Sequence, residues 1–192
     1  MSKSFYGVGY NSKRKHKTKV NGKHTLAYEV WKGMLMRCYC PKYQAKKPTY
    51  KGCGVSGVWH DYQNFADWYE LHDFSKSGYQ LDKDILFTGN KIYSPETCCF
   101  VPHEINSLLN NNKALRGLYP QGVYFDKPMN MYRVRLNVNS QSIHLGYSDC
   151  PNEAHQIYIA AKEAYVKEKA LEWQDRVADD VFQALMNWTF DS

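Results

Sequence analysis

The sequence predicts an α+β protein of two modules that follow a basic N-terminal segment. Three observations lead to this prediction. The first half carries two helical patterns and then two short apolar runs, the middle carries the polar stretch "NNNKALRGLYP", and the second half carries three alternating runs ahead of two further helical patterns. We expect a basic arm at residues 1–24, a first module at 25–112, a linker at 113–118, and a second module with a helical extension at 119–192.

Apolar residues at helical spacing predict the two leading helices of the first module. The stretches "LAYEVWKGMLMRCY" and "YQNFADWYELHD" each place such residues on one face. The connection between them is marked by Pro and Gly, and we expect it to be irregular. The expected core residues of the two helices are Leu26, Val30, Met34, Leu35, Cys38, Phe65, Trp68 and Tyr69.

An unusually charged strand follows these helices. A half-buried strand normally alternates apolar and polar residues, but the run at residues 79–86 contains three adjacent charges. These residues are Asp82, Lys83 and Asp84. After a loop marked by Gly and Pro, "CCFV" predicts a second strand, and Pro102 predicts the first residue of a helix extending to about residue 111. Asn106 lies one turn into that helix.

The second module shows strand patterns and then helix patterns. "GVYFD", "MYRVRLNV" and "SIHLGY" alternate apolar and polar residues, which predicts a three-stranded antiparallel meander. Pro151 predicts the start of a helix with Asp149 as its cap, and "RVADDVFQALMNW" predicts a final helix. The expected apolar faces of these helices consist of Ala154, Ile157, Tyr158, Ala161, Ala164 and Tyr165, then Val177, Val181, Leu185 and Trp188.

The distribution of charge favours a nucleic-acid partner. The net charge is +6, and residues 1–24 contain seven cations and no acid, whereas residues 150–192 contain eight acids and four bases. A basic arm ahead of a near-neutral body is what neutralisation of phosphates requires, and we expect Arg14 and Lys15 to contribute. The alternative is a solvated, mobile tail. The arm's cations are Lys3, Lys13, Arg14, Lys15, Lys17, Lys19 and Lys23.

Composition argues against membrane and secreted classes. No apolar run approaches the roughly 18 residues of a membrane helix, and the first residues do not resemble a signal peptide, so we expect a soluble intracellular protein. Six cysteines without a CxxC pair are expected to be free thiols. The alternative is a structural zinc site formed by Cys38, Cys53 and Cys98.

A hairpin followed by a helix can hold one divalent cation between an acid on the strand and an amide on the helix. Oxygen ligands suit a hard metal such as Mg²⁺ or Mn²⁺, and such a metal stabilises charge on a phosphodiester as it is displaced. We expect Asp82 and Asn106 to be the ligands, and a residue beside Asp82 to act as base toward water. The alternative is that the three adjacent charges form a solvated face of an edge strand.

The stretch "LDKDILFTGNKIYSPETCCFVPHEIN" resembles the HNH nuclease motif found in phage homing-endonuclease-like genes. The likeness covers roughly residues 20–112 and implies that Asp82 and Asn106 bind the metal. Lys83 occupies the place of the family's histidine, and Thr97 the place of its loop asparagine. Asp84 could then act as the base through a water, Lys83 could bind phosphate only, and His103 is a further candidate.

Two arginines on the central strand make the second module a candidate for binding DNA. Arg133 and Arg135 lie two apart on the central predicted strand, so we expect them on one face, opposite the helix. A three-stranded sheet can lie in the major groove, where arginine bonds to guanine. The alternative is a solvated sheet face. Residues expected to share or border the face are Tyr124, Lys127 and His144.

Residues 119–162 resemble the Apetala-type DNA-binding domain of plant ethylene-response factors, which also occurs at the end of phage HNH proteins. The shared markers are Gly122-Val123, Tyr132-Arg133-Val134, Leu145-Gly146-Tyr147 and Glu153-Ala154. The resemblance implies that sheet arginines contact bases. The positions that usually hold Trp carry other residues, so no target sequence is implied.

Together these features predict a phage-encoded, metal-dependent homing-type HNH endonuclease. It would cleave or nick duplex DNA at a site chosen by the second module, in the cytoplasm of the infected bacterial host. The alternative is a non-catalytic, sequence-specific DNA-binding protein with a degenerate HNH fold, acting as a regulator or counter-defence factor. A third interpretation is an RNA-binding module.

Overall fold

The computed structural model describes residues 4–72, 78–109, 118–139 and 141–190, and it has the expected mixed α+β character. The chain divides into two compact units, residues 1–106 and residues 107–192. No helix in the described parts of the chain is long and apolar enough to cross a membrane. Most of the linker expected at 113–118 lies outside the described residues.

The N-terminal unit is built from short strands and four helices among its described residues. A threonine hydroxyl caps the first long helix at Thr25, and the carboxylate of Asp61 caps the third helix. Short 3₁₀ turns occupy Pro48–Tyr50 and Gly57–His60. The elements in chain order are β1 Lys19–Val20, β2 Lys23–His24, α1 Leu26–Tyr39, α2 Pro41–Lys46, β3 Gly54–Val55, α3 Tyr62–Glu70, β4 Gln80–Asp82, β5 Ile92–Tyr93, β6 Cys99–Val101 and α4 His103–Leu109.

Aromatic side chains form the core of this unit. Trp31, Trp59 and Phe65 are fully buried, and the indole N–H of Trp31 donates to the carbonyl of Trp59 at 2.7 Å. That bond satisfies a polar group that burial would otherwise leave unpaired. The expected core of α1 is correct for Met34, Leu35 and Cys38 but wrong for one residue: Leu26 is 57% exposed, since it sits at the first helical position.

The basic segment packs onto the N-terminal unit. The backbone of Tyr10 bonds to His60 and Tyr62, and the buried side chain of Gln63 accepts the N–H groups of Lys15 and His16. Residues 4–24 therefore do not form the mobile tail considered above, because buried polar groups of α3 have their partners in this segment.

The charged strand is shorter than the sequence pattern predicts. β4 pairs antiparallel with β6 and ends at Asp82, because Oδ1 of Asp82 accepts the N–H groups of Asp84 and Ile85 and turns the chain. The expected strand to residue 86 is therefore wrong. α4 begins at His103, one residue after Pro102, and its expected continuation to residue 111 lies outside the described residues beyond Leu109.

The connection expected to be irregular contains regular structure. It holds α2, and its strand β3 pairs in parallel with β5. β5 lies between β4 and β6 in the sequence, so the loop of the hairpin is tied to the segment that joins α1 to α3.

The C-terminal unit contains the expected three-stranded antiparallel sheet. Its strands are in the order β7-β8-β9, and a bulge interrupts the β8–β9 register after Val134. A 3₁₀ turn spans Gln174–Arg176. The elements are β7 Val123–Asp126, β8 Met131–Val138, β9 Gln141–Ser148, α5 Pro151–Trp173 and α6 Asp179–Met186.

One face of the sheet packs against α5. Val123 and Val134 are buried against Ala154 and Tyr158 of that helix. Gly122 has a φ of +81°, and a Cβ added there would clash with the ring of Tyr158, so this position requires glycine.

Three details of α5 differ from the sequence prediction. Ile157 is 38% exposed and Ala164 is exposed as well, because the helix covers the sheet mainly through Ala154, Tyr158 and Tyr165. The residue before the helix is Cys150 rather than Asp149, and the backbone N–H of Cys150 donates to the hydroxyl of Ser148.

Candidate functional site

Strands β4 and β6 and helix α4 form a ββα element. It brings the face of β4 that carries Asp82 into contact with α4. Gln80 and Asp82 are two residues apart on β4, so they point to the same side, while Leu81 is buried on the other. The side-chain amide of Asn106 donates to Oε1 of Gln80 at 2.8 Å. The helix residue is therefore joined to the strand face that ends at Asp82.

The carboxyl group of Asp82 is held by the backbone. Its Oδ1 accepts the N–H of Asp84 at 2.7 Å and the N–H of Ile85 at 2.9 Å. Burial raises the pKa of Asp82 above its usual range, and these two backbone donors oppose that rise without cancelling it. Both donors contact the same oxygen, which fixes the orientation of the carboxyl group.

Asp82 and Asn106 carry oxygen atoms of the kind that a hard cation prefers, but the contact that the structure shows joins Asn106 to Gln80, two residues before Asp82. Asn106 uses its amide nitrogen toward Gln80, so its carbonyl oxygen remains a ligand atom, as does Oδ2 of Asp82. Among the described residues no three His, Cys, Asp or Glu side chains cluster as a metal site. Two protein oxygens completed by water match the way Mg²⁺ is usually held.

The cysteines considered for zinc form no disulfide. Burial raises the pKa of Cys38 to about 12 and that of Cys98 to about 12, so both groups favour the protonated thiol. Cys53 is buried as well.

Lys83 is a buried cation with three acceptors. Its ammonium donates to Oδ1 and Oδ2 of Asp84 at 2.6 and 2.7 Å, and to the carbonyl of Asn90 at 2.9 Å. Its side chain is 6% exposed, whereas that of Asp84 is 51% exposed. The ammonium also lies 5.7 Å from the centre of the Tyr93 ring. Lys83 and Asp84, the two residues expected to be catalytic, thus form an ion pair with each other.

The loop of the hairpin closes around Lys83 through Asn90, which the sequence pattern did not single out, and through Thr97, which it did. The amide of Asn90 donates to the carbonyl groups of Lys83 and Ile92 at 2.9 and 2.8 Å. Thr97 donates to the carbonyl of Ile92 at 3.0 Å, so it anchors the same loop. The Gly89-Asn90 pair marked a turn but gave no sign of these bonds. His103, the remaining candidate, is exposed at the start of α4.

The second candidate surface is the sheet face opposite α5. Arg133 pairs across the sheet with Tyr124 and Tyr147, and Arg135 pairs with His144. Val134 and Leu136, which alternate with the arginines, are buried. Of the residues expected on or beside this face, Arg135, Tyr124, Lys127 and His144 are exposed to solvent.

The two arginines differ in their surroundings. Arg133 forms an ion pair with Asp126, and this pairing holds the pKa of the Asp126 carboxyl below its usual range. The hydroxyl of Tyr147 donates to the same carboxylate at 3.2 Å. Arg133 is therefore fixed in a network that includes Asp126, a residue that the sequence analysis missed, while Arg135 remains exposed.

The cations expected to bind phosphate in the basic segment are partly neutralised. The guanidinium of Arg14 lies 3.8 Å from the carboxylate of Asp61. The ammonium of Lys15 lies 3.6 Å from Asp67 and 3.7 Å from Glu70. Both cations thus face acids of the segment that forms and caps α3, although both remain more than half exposed.

The chain matches no protein-family model, no curated protein and no solved structure. Any assignment of function therefore depends on the ββα element and the sheet face themselves. The likenesses to the HNH motif and to the Apetala-type domain remain interpretations of the sequence.

Proposed function

We propose that the protein is a phage-encoded, metal-dependent endonuclease of the HNH type that cleaves or nicks duplex DNA in the host cytoplasm. One observation carries the proposal: the amide of Asn106 on α4 bonds to Gln80, on the strand that ends at Asp82. We propose that the acid of Asp82 and the amide oxygen of Asn106 bind one cation there, and such a metal would stabilise charge on a phosphodiester as it is displaced.

Asp82 and Asn106 are the proposed ligands. When bound, Mg²⁺ would neutralise the charge that develops on the phosphodiester. Asp84 is the proposed proton acceptor, because its half-exposed carboxylate can reach water while Lys83 holds it in place. Lys83, which gives its donors to Asp84 and Asn90, is proposed to orient the base rather than to take the proton.

The sheet face is proposed to select the site. Arg135 is exposed and can present its planar pair of donors to a guanine, a contact that discriminates by about 1–3 kcal/mol. Arg133 would contact DNA in an orientation that Asp126 fixes. Replacing Arg135 with Ala should relax the base preference at particular positions, and Lys should restore only part of it. Identical selected sites for all three proteins would remove this role.

A plasmid-cleavage assay tests the nuclease proposal. The wild type should convert supercoiled DNA to nicked or linear forms with Mg²⁺ or Mn²⁺ and not with EDTA. Asp82→Ala and Asn106→Ala should each abolish cleavage but leave affinity for the duplex nearly unchanged. Cleavage that persists in both variants would show that the ligands are assigned wrongly.

A non-catalytic DNA-binding protein is the second candidate, acting as a regulator or counter-defence factor. The observation that favours it is the burial of Lys83, which replaces the family's histidine and is fully paired inside the loop. A lysine whose donors contact a carboxylate and a carbonyl is a poor base toward water. Tight, sequence-specific binding without cleavage under any divalent cation would support this candidate.

A further inference from the structure

The basic segment ends in a small hairpin, which we call the basic hairpin and define as residues 17–24. β1 and β2 pair through Lys19 with His24 and Val20 with Lys23. Asn21 and Gly22 form the turn with φ of +50° and +77°, the left-handed values that a tight two-residue hairpin needs. A ribbon of fixed register therefore ends in a polar tip.

The base of the hairpin is fixed to the N-terminal unit, while its tip is exposed. The backbone N–H of Thr25 donates to the carbonyl of Thr18 at 3.1 Å, and the hydroxyl of Tyr62 donates to the carbonyl of Lys17 at 3.2 Å. Thr25 also caps α1, so the positive end of a 14-residue helix lies next to the base. Residues 19–24 are all exposed.

Most of the unpaired cations among the described residues of the segment lie on this hairpin. Arg14 and Lys15 face the acids of α3 and its cap. Among the described residues, by contrast, no ion pair involves Lys17, Lys19 or Lys23, and all three are exposed. Lys13 is also exposed and takes part in none of these ion pairs, so three of the four unpaired cations among the described residues of the segment lie on the hairpin.

The lysines of the ribbon point in opposite directions. Lys19 shares one face with its partner His24, and Lys23 shares the other face with Val20, because neighbouring residues of a strand alternate. A ribbon lying flat on one line of phosphates would need its cations on a single face. Cations on both faces fit a groove, where one phosphate strand lies on each side.

We propose that the basic hairpin enters a groove of duplex DNA and that Lys19 and Lys23 contact phosphates of opposite strands. This inference rests on the proposed action on duplex DNA and adds the element of the N-terminal unit that holds it. A two-stranded ribbon is narrow enough for the major groove. The contacts add affinity and fix position but read no bases.

The salt dependence of binding by the full-length chain tests the inference. Fluorescence anisotropy with a labelled duplex of about 25 base pairs gives the slope of log K against log salt, which falls by about 0.9 for each phosphate that the protein no longer neutralises. We expect Lys19→Gln and Lys23→Gln each to lower the slope by about 0.9, and the double variant by about 1.8. Lys46→Gln, the same charge change at an exposed site on α2, should leave the slope unchanged.

Several results would overturn the hairpin's role. An effect of only one of the two lysines would place the ribbon flat on one strand, and no effect of either would remove it from the interface. An equal effect of Lys46→Gln would show a general response to charge. Tighter, lysine-dependent binding to single-stranded DNA or to RNA would replace the proposed occupant.

The same titration separates this inference from the proposed function. A wild-type chain that binds no duplex at low salt would contradict the proposed action on DNA as well as the hairpin's part in it. A wild type that binds duplex DNA with slopes unaffected by either lysine would contradict the hairpin alone.

Discussion

Replacing Lys83 with Met should destabilise the N-terminal unit by about 2–4 kcal/mol. Met keeps most of the buried stem but removes the ammonium that donates to Asp84 and to the carbonyl of Asn90. The half-buried carbonyl of Asn90 loses its donor, which costs about 1–3 kcal/mol. The ion pair adds only about 1 kcal/mol, since the Asp84 side chain is 51% exposed.

Urea unfolding followed through the indole NMR signals of Trp31 and Trp59 measures this loss, because both rings are buried in the N-terminal unit. The double variant Lys83→Met/Asp84→Asn should cost little more than Lys83→Met alone, since both changes remove the same pair. Lys46→Met, at an exposed site, should shift stability by less than about 0.5 kcal/mol. A loss below about 1 kcal/mol for Lys83→Met would refute the stabilising role of these bonds.

Three further predictions concern the fold. Deleting residues 1–19 should unfold the N-terminal unit, because the buried side chain of Gln63 loses its backbone partners; an unchanged near-UV circular dichroism spectrum would contradict this. Gly122→Ala should lower stability by about 1–3 kcal/mol through a clash with Tyr158, and an unchanged urea midpoint would argue against the close packing. Burial lowers the pKa of Lys162 in the folded chain to about 8, from 10.5. Between these two pH values the unfolded chain binds more protons than the folded chain, so the free energy of unfolding should rise with pH. Lys162→Met should remove this pH dependence and should be more stable than the wild type at pH 7 by about 2–3 kcal/mol. A wild type whose stability does not rise above pH 8 would contradict the prediction.

The C-terminal sheet could be predicted almost residue by residue. Its central strand alternates between buried residues such as Val134 and exposed ones such as Arg135, and turn residues mark the strand ends. The burial of β7 and β9 does not alternate in this way. The same alternation placed Arg133 and Arg135 on one face. It could not predict the ion pair between Arg133 and Asp126, because that pair joins neighbouring strands and depends on their register.

Polar side-chain contacts, local and long-range, explain what the sequence did not predict in the N-terminal unit. β4 ends early because the carboxyl group of Asp82 bonds to the next backbone N–H groups, and a run of three charges can equally be a strand or a turn. The basic segment is bound by Gln63, a buried polar residue 48 positions away from Lys15. Asn90 closes the loop around Lys83 because its carbonyl accepts from the ammonium of Lys83 and its amide donates to the carbonyl of Lys83. Local periodicity carries no information about such pairs.

Binding of Mn²⁺ to the full-length chain, measured by electron paramagnetic resonance, tests the central claim most directly. The proposed site predicts one bound ion per chain, absent in Asp82→Ala and weakened in Asn106→Ala. Asp84→Asn should keep the ion, because that carboxylate is bonded to Lys83. A chain that binds no Mn²⁺, or one whose site survives Asp82→Ala, would contradict the assignment of this ββα element as a metal site.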